Sequence, residues 1–181
     1  MDFKETPIDQ EYVFKGNVIK VRVDHATRKD GMKLYREVVE HPGGVGIAME
    51  NEEGKYCLVK QWRYAQECVL LEYPAGKKEL GEDPFACAKR EIQEETGYTC
   101  KDFYDLGYIV PTGAYDSEKI YMYYAKADKF VGTNYDEDEY LEQVYLSLDE
   151  IKEMILRNEI TDAKTIAMTY KIESLKKQGL I

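Results

Sequence analysis

The sequence predicts an α/β fold, and the order of its strand-like and helix-like segments is the first observation behind that prediction. Runs rich in β-branched and aromatic residues lie between Tyr12 and Tyr73 and again between Phe103 and Val131. A helical segment separates these two groups of strands, and two further helical segments follow them. Strands interleaved with helices in this way are typical of a sheet covered by helices.

The central helix is predicted from Pro84 to Thr96. Asp83 is a good N-cap, and Pro84 suits the first helical position, where its missing N–H costs nothing. Gly97 stands where a left-handed C-terminal residue is favoured. We expect one buried stripe, formed by Phe85, Ala88 and Ile92.

Three carboxylates occupy an arc of about 100° beside that stripe: Glu91, Glu94 and Glu95. Like charges at this spacing repel one another, which favours a bound cation among them. Carboxylate oxygens suit Mg²⁺, or Mn²⁺, better than Zn²⁺. Arg90 lies one turn before Glu94 and can orient it.

The frame around these carboxylates resembles the Nudix box. That pattern has Gly, five residues, Glu, seven residues, Arg-Glu, an apolar residue, any residue, Glu-Glu, any residue, Gly and a final apolar residue. The matching positions are Gly76, Glu82, Arg90, Glu91, Ile92, Glu94, Glu95, Gly97 and Tyr98. At roughly five to seven per cent usage per residue type, a chance match is on the order of one in a million. The resemblance implies an α/β/α sandwich with a mixed central sheet.

Composition limits the other classes of function. The chain has 181 residues, 44% hydrophobic content and a net charge of -10, so binding to nucleic acid or to anionic membrane is not expected. No apolar run is long enough for a signal peptide or membrane span. Its 4 cysteines have no C-x-x-C spacing, which indicates reduced thiols and a cytoplasmic protein.

The N-terminal residues predict a small antiparallel sheet of their own, with strands at about 12–24 and 33–40. So little apolar content supports this sheet that it is expected to need a partner surface. Resemblance to ADP-ribose pyrophosphatases implies that such strands form a homodimer. We therefore divide the chain into a dimerisation arm, 1–42, and a Nudix hydrolase domain, 43–181.

The rest of the chain supplies the main sheet and its helices. Strands are predicted at 44–50 and 55–63 as a hairpin, at 69–73, at 103–110, at 120–131 and at 143–148. Ser147 and Glu150 form a capping box that opens one helix. A second helix is expected to pack through one face, formed by Ala163, Ile166, Ala167 and Tyr170.

Site residues follow from the resemblance. It implies two or three Mg²⁺ ions held by the Ala75 carbonyl, Glu91, Glu94 and Glu95. Glu94, Glu95 and Arg90 are also expected to be catalytic, with Glu82 and Arg90 in orienting roles. An acidic loop before the strand at 143–148 is expected to supply the general base. Glu139 is the best match to that position, and Glu137 is the alternative.

The resemblance also implies how a substrate is bound. Arg36 and Arg63 lie in segments whose arginines meet substrate phosphates, which suits the fork of donors in guanidinium. Glu72 is expected near the nucleotide end, and Glu118, after a Pro-x-Gly turn, near a terminal ribose. Tyr115 conflicts with this, because a tyrosine near that place marks dinucleoside-polyphosphate hydrolases.

The implied reaction is Mg²⁺-dependent hydrolysis of ADP-ribose to AMP and ribose 5-phosphate. GDP-mannose or a dinucleoside polyphosphate remains an alternative substrate. A nucleotide-sugar sensor without turnover is a third hypothesis, although a complete set of box carboxylates argues against it.

Overall fold

The computed structural model describes residues 2–135 and 140–181, which fold into two compact units. One unit contains the chain up to residue 43 together with residues 110–119, and the other contains 44–109 and 120–181. The predicted arm, residues 1–42, covers most of the first unit but did not include the segment 110–119. None of the helices in the described residues is long and apolar enough to cross a membrane.

The first unit is built on an antiparallel sheet, as predicted, but the sheet has three strands, because the segment predicted at 12–24 is divided between two of them. Its strands are β1 (Glu5–Lys15), β2 (Lys20–Arg28) and β3 (Lys33–Glu40), with β2 in the middle. Strand β1 begins earlier than its sequence pattern indicates, and every one of its residues is exposed. Large apolar side chains are among them, including Ile8, Val13 and Phe14.

The second unit contains seven strands and three helices within the described residues. The strands are β4 (Gly44–Glu50), β5 (Tyr56–Arg63), β6 (Cys68–Glu72), β7 (Ala75–Lys77), β8 (Tyr98–Ile109), β9 (Ile120–Phe130) and β10 (Leu141–Leu146). The helices are α1 (Pro84–Thr96), α2 (Leu148–Leu156) and α3 (Ala163–Lys177).

This sheet is mixed and covered on both faces, which confirms the predicted sandwich. Its order is β10-β5-β4-β9-β8, with β6 paired to β5 and β7 to β4. Strands β4 and β9 run parallel, and the other described pairs are antiparallel. Alternate residues of β4 point to opposite faces: Val45, Ile47 and Met49 pack in a cluster with α1, and Ala48 packs in a cluster with α2 and α3.

The ends of α1 are those predicted from the sequence. Asp83 Oδ1 accepts hydrogen bonds from the N–H groups of Phe85 and Ala86, each at 3.0 Å. Gly97 ends the helix with φ 78°, a conformation that favours glycine. The buried stripe was predicted wrongly at Phe85, which is 36% exposed. Cys87 is buried instead, and the ring of Phe85 makes a T-shaped contact with the ring of Phe103.

The predicted packing face of α3 was wrong in part: Ala167 packs against the core as expected, but Ala163 is exposed. The buried residues of α3 are Lys164, Thr165, Met168, Thr169 and Ile172. Tyr170, expected on the packed face, is 55% exposed. Three of the five buried residues are polar, so the hydrophobic pattern does not mark the face that the helix turns to the sheet.

Candidate active site

The carboxylate face of α1 is largely buried. Glu91 is 8% and Glu95 1% exposed, and both are packed among the residues of the helix's inner face. Glu94 lies further out and is half-buried. Ionised carboxylates withdrawn from water are costly unless charges or hydrogen bonds compensate them, so this face marks a site rather than a solvated helix surface.

Gly76 makes room for one of these carboxylates. It lies in β7, which pairs with β4 so that Gly76 is opposite Val45 and Ala75 is opposite Gly46. A Cβ built on Gly76 would be 1.8 Å from Cδ of Glu91. The Glu91 carboxylate therefore rests directly against the backbone of β7, and any larger residue would displace it.

Arg90 connects the carboxylates on this face. Its guanidinium donates to Glu82 at 3.2 and 3.1 Å, to Glu91 at 2.8 Å and to Glu94 at 3.0 Å. The Arg90 hydrogen bond lowers the pKa of Glu82 to about 2, and the same bond, opposed by burial, raises the pKa of Arg90. The expected contact with Glu94 is present, and the catalytic role of Arg90 remains a prediction.

The donor types of this face fit a hard divalent cation. They are carboxylate oxygens beside the backbone of the short strand β7, and one carboxylate lies in a space that a Cβ would fill. Among residues 2–135 and 140–181, however, no group of three or more His, Cys, Asp or Glu side chains is arranged as a metal site. Glu91 and Glu94 are turned to Arg90, so binding a cation requires these side chains to change partners.

Arg63 lies at the end of β5 and is held by a buried glutamate. Its Nε donates to Oε1 of Glu72 at 2.7 Å, and Glu72 is 1% exposed. Burial lowers the pKa of Arg63, but the bond and charge of Glu72, with the charges of Glu95 and Asp162, raise it overall. Arg63 and Glu95 thus share one electrostatic environment. The predicted contact of Glu72 with substrate remains a prediction.

The remaining predicted site residues described by the structure belong to the first unit. Arg36 is exposed and paired with Glu5, with N–O distances of 2.6 and 3.0 Å. Oε1 of Glu118 lies 3.3 Å from Nδ1 of His41. The loop that carries Glu118 is bonded to the end of β3, because Ser117 N donates to Val39 O at 2.9 Å.

Sequence reasoning did not single out His41 as a site residue. Its backbone N–H donates to Ser117 Oγ at 3.1 Å, and its Nδ1 accepts from the Gly43 N–H at 3.0 Å. These bonds keep the imidazole beside Glu118. The His-Pro-Gly-Gly run at 41–44 was the only sequence signal, and such a run ordinarily indicates a turn.

The general base predicted at Glu139, or at Glu137, lies outside the described residues. The strand after this loop is joined to α1, since Gln143 Nε2 donates to the carbonyl oxygen of Glu95 at 2.9 Å. Asn134, before the loop, donates its N–H to the carbonyl oxygen of Glu94 at 3.0 Å. Both ends of the acidic loop are therefore attached near the carboxylate face.

Comparison with known proteins agrees with this geometry. The model of the NUDIX domain matches residues 40–168, which include the whole of the box and α1. The chain belongs to the NUDIX domain family.

Two relatives and one solved structure are similar to this NUDIX protein over most of its length. A methanol dehydrogenase activator of Bacillus methanolicus is 38% identical over 166 residues, covering 91% of this chain and 90% of the relative. An ADP-ribose pyrophosphatase of Bacillus subtilis is 34% identical over 175 residues, covering 96% and 93%. A crystal structure of an ADP compounds hydrolase shares the fold, with TM-score 0.83, 21% identity and coverage of 98% and 97%.

We predict that Gly76→Ala lowers the free energy of unfolding of this NUDIX protein by about 1–3 kcal/mol, because the new methyl group overlaps the Glu91 carboxylate. Adding Glu91→Ala removes that overlap, so the double variant should lose less stability than the two single variants together. Urea denaturation of the four proteins measures this coupling. Additivity within about 0.5 kcal/mol would show that Gly76 and Glu91 are not in close contact.

Proposed function

We propose that the protein is a Mg²⁺-dependent hydrolase of the pyrophosphate bond of ADP-ribose, with AMP and ribose 5-phosphate as products. The observation that carries this proposal is the burial of Glu91 and Glu95 on one face of α1, with Glu91 seated against Gly76. The substrate class is supported by the name of the Bacillus subtilis relative, an ADP-ribose pyrophosphatase aligned over almost the whole chain.

The Ala75 carbonyl and the carboxylates of Glu91, Glu94 and Glu95 would hold the metal. When bound, Mg²⁺ neutralises substrate phosphates and lowers the pKa of water. Arg90 is proposed to orient Glu91 and Glu94 by pairing with them, Glu82 holds Arg90, and the two carboxylates would leave Arg90 to hold the metal. A bound metal would reverse the local sign of the charge, so a chain of net charge -10 could still bind an anionic substrate.

The other predicted residues act on the diphosphate and on water. Arg63 presents donors from the end of β5, within the electrostatic influence of Glu95, which suits a developing negative charge. Glu139 is proposed to accept the proton of the attacking water, with Glu137 as the alternative. Separate replacement of each by Gln identifies the base, since its loss lowers kcat by about 10²–10⁴-fold and the other change has little effect.

Glu95→Gln is expected to lower kcat by roughly 100-fold or more, because it removes a charge from the face that binds cations while keeping the side-chain volume. The assay is release of AMP from ADP-ribose over a Mg²⁺ titration, with thermal unfolding to confirm the fold. Glu142→Gln is the control, since this β10 carboxylate is exposed and paired with Lys60. Full activity of Glu95→Gln at saturating Mg²⁺ would refute its role as a ligand.

Substrate choice is proposed to depend on Glu118, whose carboxylate can accept hydrogen bonds from the cis-diol of a terminal ribose. Glu118→Ala should reduce kcat/KM for ADP-ribose by about 10–100-fold and change kcat/KM little for a substrate without a terminal ribose. The measurement compares ADP-ribose, GDP-mannose and diadenosine polyphosphates at one Mg²⁺ concentration. Highest activity on a dinucleoside polyphosphate would favour the alternative marked by Tyr115.

A homodimer is proposed from the first unit. Strand β1 is an exposed edge with large apolar side chains, which is unusual for a surface without a partner. Arg36, on β3, is exposed and held by Glu5, so a short rearrangement frees its guanidinium. We propose that Arg36 serves the catalytic face of the second subunit.

Mixing two inactive proteins tests this arrangement. If Arg36 acts in trans, exchange between Arg36→Ala and Glu95→Gln subunits produces dimers with one complete site, and activity returns to about a quarter of the wild-type value at equal mixing, on the statistics of random exchange. Light scattering and a labelled subunit confirm the dimer and the exchange. No recovery after proven exchange means that each chain builds its own site.

Two other expectations from the sequence remain proposals. A cytoplasmic location is consistent with the four cysteines, all of which are free thiols. The sensor hypothesis predicts nucleotide-sugar binding without AMP release in the same assay. The name of the Bacillus methanolicus relative describes an effect on a dehydrogenase and gives no substrate, so it does not compete with hydrolysis.

A further inference from the structure

A buried lysine in the first turn of α3 has no role in the site described above. Lys164 is 5% exposed; its Nζ binds Oε2 of Glu72 and lies 3.1 Å from Oδ2 of Asp162. Lysine is almost never fully buried unless it is paired. A cation at this end of a helix also faces the positive end of the helix dipole, so local helix energetics do not favour lysine here.

The packing around Lys164 fixes the direction of its side chain. A Cβ built on Gly46 would be 3.4 Å from Cδ of Lys164, an ordinary packing distance, so the lysine stem lies directly against β4. Thr165 Oγ1 accepts a hydrogen bond from the Tyr73 N–H at 2.9 Å, which joins α3 to the residue after Glu72. These contacts place the Lys164 ammonium group against the carboxylate of Glu72.

Glu72 divides its two oxygens between two cations. Oε2 binds Lys164, and Oε1 accepts from Nε of Arg63 at 2.7 Å. Within the described part of the chain, the guanidinium of Arg63 makes no hydrogen bond besides the one from Nε to Glu72, so neither of its terminal NH₂ groups is paired there. Its side chain is also partly open to solvent, unlike those of Glu72 and Lys164.

We propose that Lys164 and Glu72 are positioning residues for Arg63, an inference that rests on the phosphate-binding role of Arg63 in the proposed function. Lys164 lies against the buried carboxylate of Glu72 as its counter-charge. Glu72 then holds the Nε edge of Arg63, and the outer edge of the guanidinium points away from Glu72 toward the substrate. A guanidinium that is already held through its Nε edge loses less conformational freedom when its other edge binds a phosphate.

A purely structural ion pair is the competing explanation. Buried ion pairs are often no more stable than well-packed apolar residues of similar volume, so stability alone is a weak reason for this arrangement. Lys176, whose side chain is 34% exposed, provides a comparison on the same helix. It pairs with Glu50 of β4 at 2.6 Å, and that pair includes no arginine.

The first measurement is independent of substrate. In protein labelled with ¹⁵N-arginine, the Nε–H signal of Arg63 is assigned by its loss in Arg63→Lys, and its hydrogen exchange is then measured. We expect slow exchange in wild type and in Lys176→Met, and at least tenfold faster exchange in Lys164→Met and Glu72→Gln. Unchanged exchange in both variants would overturn the positioning role.

The second measurement uses a double-mutant cycle in the ADP-ribose assay. Lys164→Met should lower kcat/KM by about 10–100-fold in wild type, but by less than about twofold in the Arg63→Lys background. Lys176→Met should leave kcat/KM unchanged in both. Losses that multiply in the double variant would mean that Lys164 does not act through Arg63.

Glu72→Gln keeps the test decisive if Lys164→Met does not fold, because Lys164 then still has Asp162 as a partner. It should show the same fast exchange of the Arg63 Nε–H and the same dependence on Arg63. Wild-type protein that releases no AMP from any substrate refutes the proposed function, while the exchange measurement still decides whether Lys164 and Glu72 position Arg63.

Discussion

The burial of carboxylates on α1 is the constraint on which the rest of the structure depends. Glu91 and Glu95 are withdrawn from water, and an isolated buried charge of this kind would destabilise the fold. Two features make the burial of Glu91 possible: Gly76 lets β7 approach Glu91 without a side chain, and Arg90 spreads its donors over Glu91 and two further carboxylates. The positions of α1, β7 and Gly76 therefore depend on one another.

Charge pairing extends from this face to the opposite layer of the sandwich. Arg63 is in the electrostatic environment of Glu95, and Glu72 joins Arg63 to Lys164 on α3. Cations and carboxylates alternate in direct contact from Arg63 through Glu72 to Lys164. An acidic protein can in this way keep fixed cations next to a carboxylate-rich face.

Local sequence rules predicted the elements that depend on neighbouring residues. The N-cap at Asp83, the end of α1 at Gly97 and the capping box of Ser147 are all present, because each is formed by backbone groups within a few residues. The box spacing likewise placed its carboxylates on one helix face. Rules of this kind failed at Phe85, because its exposure depends on how much of its ring the neighbouring sheet covers.

The sequence by itself determined the family, the layered α/β architecture and the identity of the acidic helix, since spacing and caps are properties of a continuous segment. Only the tertiary structure decided which residues of α3 are buried and that Lys164 meets Glu72, 92 positions away. Lysine is normally solvated, so hydropathy assigns it to the surface. Its burial depends on a partner that another layer supplies, and no local pattern contains that information.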